Sequence, residues 1–168
     1  MKIQAIKKNQ KINTPFLKNF PKKYQTLLLK KAGIARLEKG TYIFRDGEKA
    51  TRFYLILRGK VDLLSKEQDV RFDVESNTGI LQTLVKGDVI GWSWVIPPYQ
   101  WRFDAKAGED CELLVIDGLE VRKQMAKDHS FGYEIFKRLV PVMNQRLIAA
   151  RLKIQLFGGS VFAVAEGG

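Results

Sequence analysis

The segment from Ile34 to Asp117 leaves this chain few ways to fold. It divides into short apolar or alternating runs, each closed by glycine or a polar turn: IARLE, TYIF, RFYLILR, KVDLLS, RFDVES, GILQTLV, WRFDAKA and CELLVID. Runs of four to seven residues are short for helices, and Asp46-Gly47, Gly59 and Lys86-Gly87-Asp88 between them are turn formers. In WRFDAKA the alternation predicts Trp101, Phe103, Ala105 and Ala107 on one face, with Arg102, Asp104 and Lys106 on the other. Eight strands at this spacing predict a mainly β domain, a sandwich or jelly-roll barrel, and not βαβ units.

Helices are expected on both sides of the strands. Residues 14–32, TPFLKNFPKKYQTLLLKKA, form an amphipathic pattern with Pro21 opening its better half and Gly33 as a stop. Asp117 with Glu120 three residues later predicts a capping box before LEVRKQMAKD. The last helix, from about Ser130 to Phe157, carries a heptad seam. Tyr133, Phe136, Val140, Met143, Leu147, Ala150, Ile154 and Phe157 recur at alternating spacings of 3 and 4. Ile135, Leu139, Val142 and Ala149 make a second stripe beside it. One stripe can pack on the barrel and the other on a second copy, so a homodimer through Phe136, Val140, Met143, Leu147, Ala150 and Ile154 is expected; burial of both stripes on one domain is the alternative. Pro141 predicts a kink or break, and Gly158-Gly159 an end. The chain thus divides into a basic arm (1–13), a barrel with its flanking helices (14–129), a dimerisation helix (130–157) and a mobile tail (158–168).

Charge is distributed unevenly. The formal net charge is +11, from 29 basic and 18 acidic residues. Residues 1–37 hold nine Lys and Arg36 with no acid before Glu38, so the remainder is nearly neutral. A second acid-free stretch, Ile135 to Ala165, contains Lys137, Arg138, Arg146, Arg151 and Lys153. Solvated surface is the plain reading; contact with nucleic acid, lipid headgroups or an acidic protein is the functional one. No apolar run approaches the roughly 20 residues of a membrane span, and the N-terminus lacks the apolar core of a secretory signal. The single Cys111 sits in an apolar run. A cytoplasmic protein is expected.

Enzymatic chemistry has little to build on. One histidine, His129, would have to serve any Ser–His–Asp or Cys–His nucleophile and any His-based metal site, and no Walker or GxGxxG loop is present. No catalytic or metal residue is assigned. The concentrated chemistry is instead GWSWVIPPYQW, Gly91 to Trp101, which holds all three tryptophans and two of five prolines.

The order GTYIFRDGEKATRFYLILRGKVDLL…LVKGDVIGW…FDAKA…LLVID, followed by a short and then a long amphipathic helix, resembles the cyclic nucleotide-binding domain of the Crp/Fnr regulators. The likeness runs from about Ile34 to Phe157, with Gly40, Gly47, Gly59, Gly87 and Gly91 where that family keeps turn glycines. It implies a jelly roll (double-stranded β-helix) flanked by an N-terminal and a long C-terminal helix, and a non-enzymatic, ligand-sensing regulatory module. It also implies a phosphate-binding cassette for a cyclic nucleotide, cyclic AMP or cyclic GMP. Gly91 matches the cassette's glycine. Trp92 stands where the family has a Glu for the ribose, and Trp101 where it has an Arg for the cyclic phosphate. Arg102 is one residue away, on the opposite face of a strand. Gly91, Trp92, Ser93, Trp94, Tyr99, Trp101 and Arg102 are therefore the candidate ligand residues.

Three readings stay open: tryptophans fill the old pocket and leave a scaffold for protein contacts; the pocket takes a different flat ligand with Ser93, Tyr99 and Arg102 as polar contacts; or a cyclic nucleotide still binds through Arg102 and backbone N–H groups. Regulators of the family carry a helix-turn-helix after the long helix, whereas eleven residues follow Phe157 here. Sequence-specific DNA reading is not expected, and the downstream partner is a protein the sequence does not name.

Overall fold

The alternating runs pair into two antiparallel sheets. The computed structural model describes residues 1–7, 10–65 and 79–163, with side chains followed to Leu152. The first sheet has the order β1-β2-β9-β4-β7, built from Ile3–Ala5, Ala32–Leu37, Cys111–Asp117, Arg52–Arg58 and Val89–Ile90. The second has the order β3-β8-β5-β6, from Tyr42–Phe44, Asp104–Ala107, Val61–Leu64 and Ile80–Leu84. This is the jelly-roll-like core that the resemblance implies. β9 is flanked on one side by β2, with Ile34 opposite Leu114, and on the other by β4, with Leu55 opposite Leu114. Its Leu113 to Ile116 are all buried, as a central strand covered on both faces requires.

Helices close the ends. α1 (Lys22–Leu29) follows a 3-10 turn at Pro15–Leu17, α2 (Gly118–Lys127) follows β9 directly, and α3 runs from His129 to Ala163. Phe16, Phe20, Tyr24 and Phe131 form a chain of ring contacts, 5.3 Å between Tyr24 and Phe131, that fastens the N-terminal segment to the start of α3. Asp128 is the hinge of this junction. Its carboxylate accepts the Phe131 N–H at 3.0 Å and the Tyr24 hydroxyl at 3.2 Å, and the first of these bonds holds its pKa below the usual carboxylate range. His129 is exposed beside it.

Several expectations are corrected. The helix over 14–32 is two pieces, because Lys18 is extended, Asn19 has φ +57° and Pro21 is again non-helical between the 3-10 turn and α1. Gly33 does not stop a helix; it lies inside β2, opposite Ala5, where a Cβ would stand 2.8 Å from Gln4 O. Residues 3–5, placed in the basic arm, are an edge strand. The capping box is half formed: Asp117 accepts the Glu120 N–H at 3.0 Å, but Glu120 turns its carboxylate to Lys123 and Lys31. Pro141 lies inside α3 without ending it, and the helix passes through Gly158-Gly159 into the segment assigned to a tail. The run RFDVES lies outside the described residues.

The alternation of WRFDAKA fails at its centre. β8 starts only at Asp104; Trp101 is buried as expected, but Phe103 is exposed and Asp104 is 6% exposed. The cause is a polar anchor. Asp104 accepts the Arg45 guanidinium at 3.0 Å and the Asp46 N–H at 2.8 Å, which fixes the β3 turn beside the chain that enters β8. Replacing Asp104 with Ala removes both of these bonds and is expected to cost about 1–3 kcal/mol. Urea unfolding tests this: a midpoint within error of wild type would remove Asp104 as the anchor.

Candidate functional site

The loop from Gly91 to Trp101 leaves the edge strand β7 and returns to β8. Its second end is tied to the turn after β3: Trp101 N–H donates to Glu48 O at 2.9 Å and Gly47 N–H donates to Trp101 O at 3.0 Å. Two turns fold it on itself, with Val95 N–H on Trp92 O and Tyr99 N–H on Ile96 O, and the Pro97-Pro98 bond is cis.

The three tryptophans have different surroundings. Trp101 lies face to face with Phe44, 3.8 Å between centroids and 9° between planes, and Phe44 in turn stacks on Tyr54 at 6.0 Å. Desolvation in this stack pushes the Tyr54 phenol up to about 12. The Trp101 ring also presses on Gly91, where φ is +79° and a Cβ would stand 2.6 Å from Cη2. Glycine is needed there on both counts. Trp94 is fully buried on Phe53 at 4.5 Å and 12°, and its Nε1 has no hydrogen-bond partner. Room for it comes from Gly118, where a Cβ would meet Trp94 Cε3 at 3.1 Å. Trp92 is half-buried beneath the Arg146 guanidinium, 4.7 Å from the ring centroid.

The remaining candidates do not converge on an open pocket. Ser93 is half-buried within the first turn, and its carbonyl accepts the Ile96 N–H. Tyr99 is exposed at φ +59°, with the Arg122 guanidinium over its ring at 3.8 Å. Arg102 faces solvent in the bend before β8, while its neighbour Trp101 takes the inward position.

Two residues outside the candidate ligand set hold the loop. Arg122 of α2 donates to Trp94 O at 2.7 Å. Arg146 of α3 donates to Val89 O just before the loop while covering Trp92. Burial lowers the Arg146 pKa to about 10, with Asp88 opposing the shift, so the side chain stays charged at neutral pH. In sequence both arginines read as helix-surface cations; nothing local marks them.

α3 divides as the two-stripe pattern expects. Phe131, Ile135 and Leu139 are buried on the domain, with Val142 packed against them. Tyr133, Phe136, Val140, Leu147 and Ala150 are exposed, as are Ile148 and Leu152. Met143 departs from its assigned seam, since its side chain packs partly on the core, and Ala149 is exposed where the inner stripe was expected. The side chains of Ile154 and Phe157 lie outside the described residues.

This architecture agrees with comparison to known proteins. The model of the cyclic nucleotide-binding domain matches residues 34–128, more than half of the chain. The chain belongs to the cyclic nucleotide-binding domain family. A Geobacter metallireducens structure, proposed to be a cyclic nucleotide-binding protein, is similar with a TM-score of 0.70 and 19% identity over 80% of this chain and 92% of its own. The catabolite activator protein of Thermus thermophilus is similar with a TM-score of 0.63 and 21% identity, covering 86% of this chain and 63% of its own. The regulatory subunit of a cAMP-independent protein kinase A from Trypanosoma brucei gives a TM-score of 0.54 and 22% identity, over 74% of this chain and 47% of its own. These identities establish the fold. No curated protein matches the sequence.

The chain is therefore a regulatory domain of the kind that carries no catalysis of its own. Among the described residues no group of three or more metal-ligating side chains is found, and no helix is long and apolar enough to cross a membrane.

Arg146→Ala removes the bond from α3 to Val89 and uncovers Trp92. We expect about 1.5–3 kcal/mol lower stability and a red-shifted Trp emission. Arg146→Lys should recover little of either, since it lacks the planar group that covers the ring. Unchanged emission in the Ala variant would show that Arg146 does not hold the loop.

Proposed function

We propose that this protein is a regulatory domain that signals through protein contacts, with its cassette filled by its own Trp101 in place of a cyclic nucleotide. The observation that carries this reading is the Trp101–Phe44 stack pressed against Gly91. The resemblance puts the phosphate-pairing Arg at the position of Trp101 and the ribose-binding Glu at Trp92. Indole offers a hydrogen-bond donor without charge, whereas a buried phosphate needs a cation or several N–H groups. The nearby cations are otherwise engaged: Arg122 on Trp94 O, Arg146 on Val89 O, and Arg102 turned to solvent. The same fold serves as a regulatory subunit of a cAMP-independent kinase in T. brucei, so the architecture is compatible with regulation that does not use cyclic AMP.

The transmitting surface in this reading is α3, used first to form a homodimer. Tyr133, Phe136, Val140, Leu147 and Ala150 present an exposed stripe at heptad spacing, on the side away from buried Ile135 and Leu139. The downstream partner is a protein that reads the dimer. A reducing cytoplasm suits Cys111, which is buried and whose thiol burial holds in its protonated form.

Two measurements test this. Titration with cyclic AMP and cyclic GMP, followed by Trp emission and by calorimetry, should give no saturable signal up to about 1 mM, where binding is worth only about 4 kcal/mol. Saturation at micromolar nucleotide would restore nucleotide sensing and overturn the filled-cassette reading. Leu147→Glu should convert the dimer to a monomer in light scattering while leaving the circular dichroism spectrum unchanged. A mass equal to that of wild type would take the seam out of α3.

A further inference from the structure

The seven described lysines of residues 1–37 that pair with no carboxylate are Lys2, Lys7, Lys11, Lys18, Lys22, Lys23 and Lys30, and every one is exposed. The other two described cations of this stretch, Lys31 and Arg36, pair with Glu120 and Glu112. The fold gathers part of this charge on a defined surface. α1 turns Tyr24 and Leu28 inward, which leaves Lys22, Lys23, Thr26 and Lys30 outward. Lys22, Thr26 and Lys30 recur every fourth residue, so they line one face over about 12 Å of helix axis. Lys18 lies in the turn just before α1. Arg138 donates to Asn19 O at 2.9 Å, which docks that turn on α3 at the start of the second acid-free stretch, where Lys137 is exposed. The carboxylate near Lys23, Asp128, is engaged by Phe131 N–H and the Tyr24 hydroxyl.

We propose that the outward face of α1, with Lys18, Lys22, Lys23, Thr26 and Lys30, binds the phosphodiester backbone of nucleic acid without sequence preference. The composition of the face selects this partner among polyanions. Lysine is depleted at protein–protein interfaces, which favour aromatic residues, Met and Arg, so an acidic protein is a poorer match. Peripheral membrane helices place an apolar face beside their lysines. Here Leu27 and Leu29 pack partly on the core, and the outward side of α1 is polar. Lysine acts as a point charge on a flexible stem, suited to phosphates at variable positions and not to bidentate reading of a base. The face shares no residue with the Trp-filled loop or with the exposed stripe of α3, so it does not depend on either assignment.

The test is fluorescence anisotropy with a labelled random-sequence 20-base-pair duplex, over a salt series, for the wild-type chain and for K22Q/K23Q/K30Q. All three positions are exposed, and thermal melts should confirm that the variant folds as wild type does. Expected is wild-type binding that weakens steeply with salt and is equal for unrelated sequences. Loss of three phosphate contacts should make the slope of log K against log salt shallower by about 2.7 and weaken binding at least tenfold at low salt. Absence of duplex binding at 50 mM salt, a variant that binds as wild type does, or capture by phosphatidylserine vesicles with none by duplex would each overturn the proposal.

Discussion

The face-to-face contact of Trp101 with Phe44 sets the terms for everything around it. A ring of that size at the base of the loop excludes a side chain at residue 91, turns Arg102 outward and completes the aromatic layer begun by Tyr54 and Phe44. It also commits the backbone. Trp101 can hold this position because Gly47 and Glu48 clamp its peptide, and they are held in place by the turn that Asp104 fixes through Arg45 and Asp46. Stacked aromatic pairs contribute about 0.5–1.5 kcal/mol beyond the area they bury. A cavity at this point would have to give that up before admitting a ligand.

Much of the fold was legible in the sequence because period and punctuation agree there. RFYLILR and CELLVID become β4 and β9 with the expected bounds, and the turn glycines 40, 47, 59, 87 and 91 all adopt positive φ. The two stripes of α3 were also legible, since a helix that must bury one face shows it in the spacing of its apolar residues. The failures fall where a tertiary contact overrode a local pattern. WRFDAKA alternates in sequence, yet Asp104 is drawn inward by Arg45, a partner 59 residues away. Gly33 looks like a helix stop but is a close-approach glycine, and its reason, the pairing of β1 against it, lies at Ile3 to Ala5, far upstream.

The site was half legible. The clustering of tryptophans pointed to a loop that packs on itself and on the barrel, and glycine at 91 lies where the Trp101 ring closely approaches the backbone. The two arginines that secure the loop could not be found this way. Arg122 and Arg146 sit on helices among other cations, and only the folded chain brings one to Trp94 O and the other to Val89 O. Nor could counting charges separate Lys31 and Arg36, which are neutralised by partners in α2 and β9, from the lysines that α1 leaves unpaired.

Arg146 has a consequence for the direction in which information can travel. It belongs to the same helix whose outer stripe is exposed, and it grips the carbonyl at the root of the loop. A coupling between two sites works equally in both senses, because the free energy that links them is shared. If the pocket is closed by Trp101, as proposed, the helix would become the input: a protein that clasps or twists α3 would change the hold on Trp92, and the loop would report the partner. Signal would then run from α3 to the loop, with the indole beneath Arg146 as its built-in optical gauge.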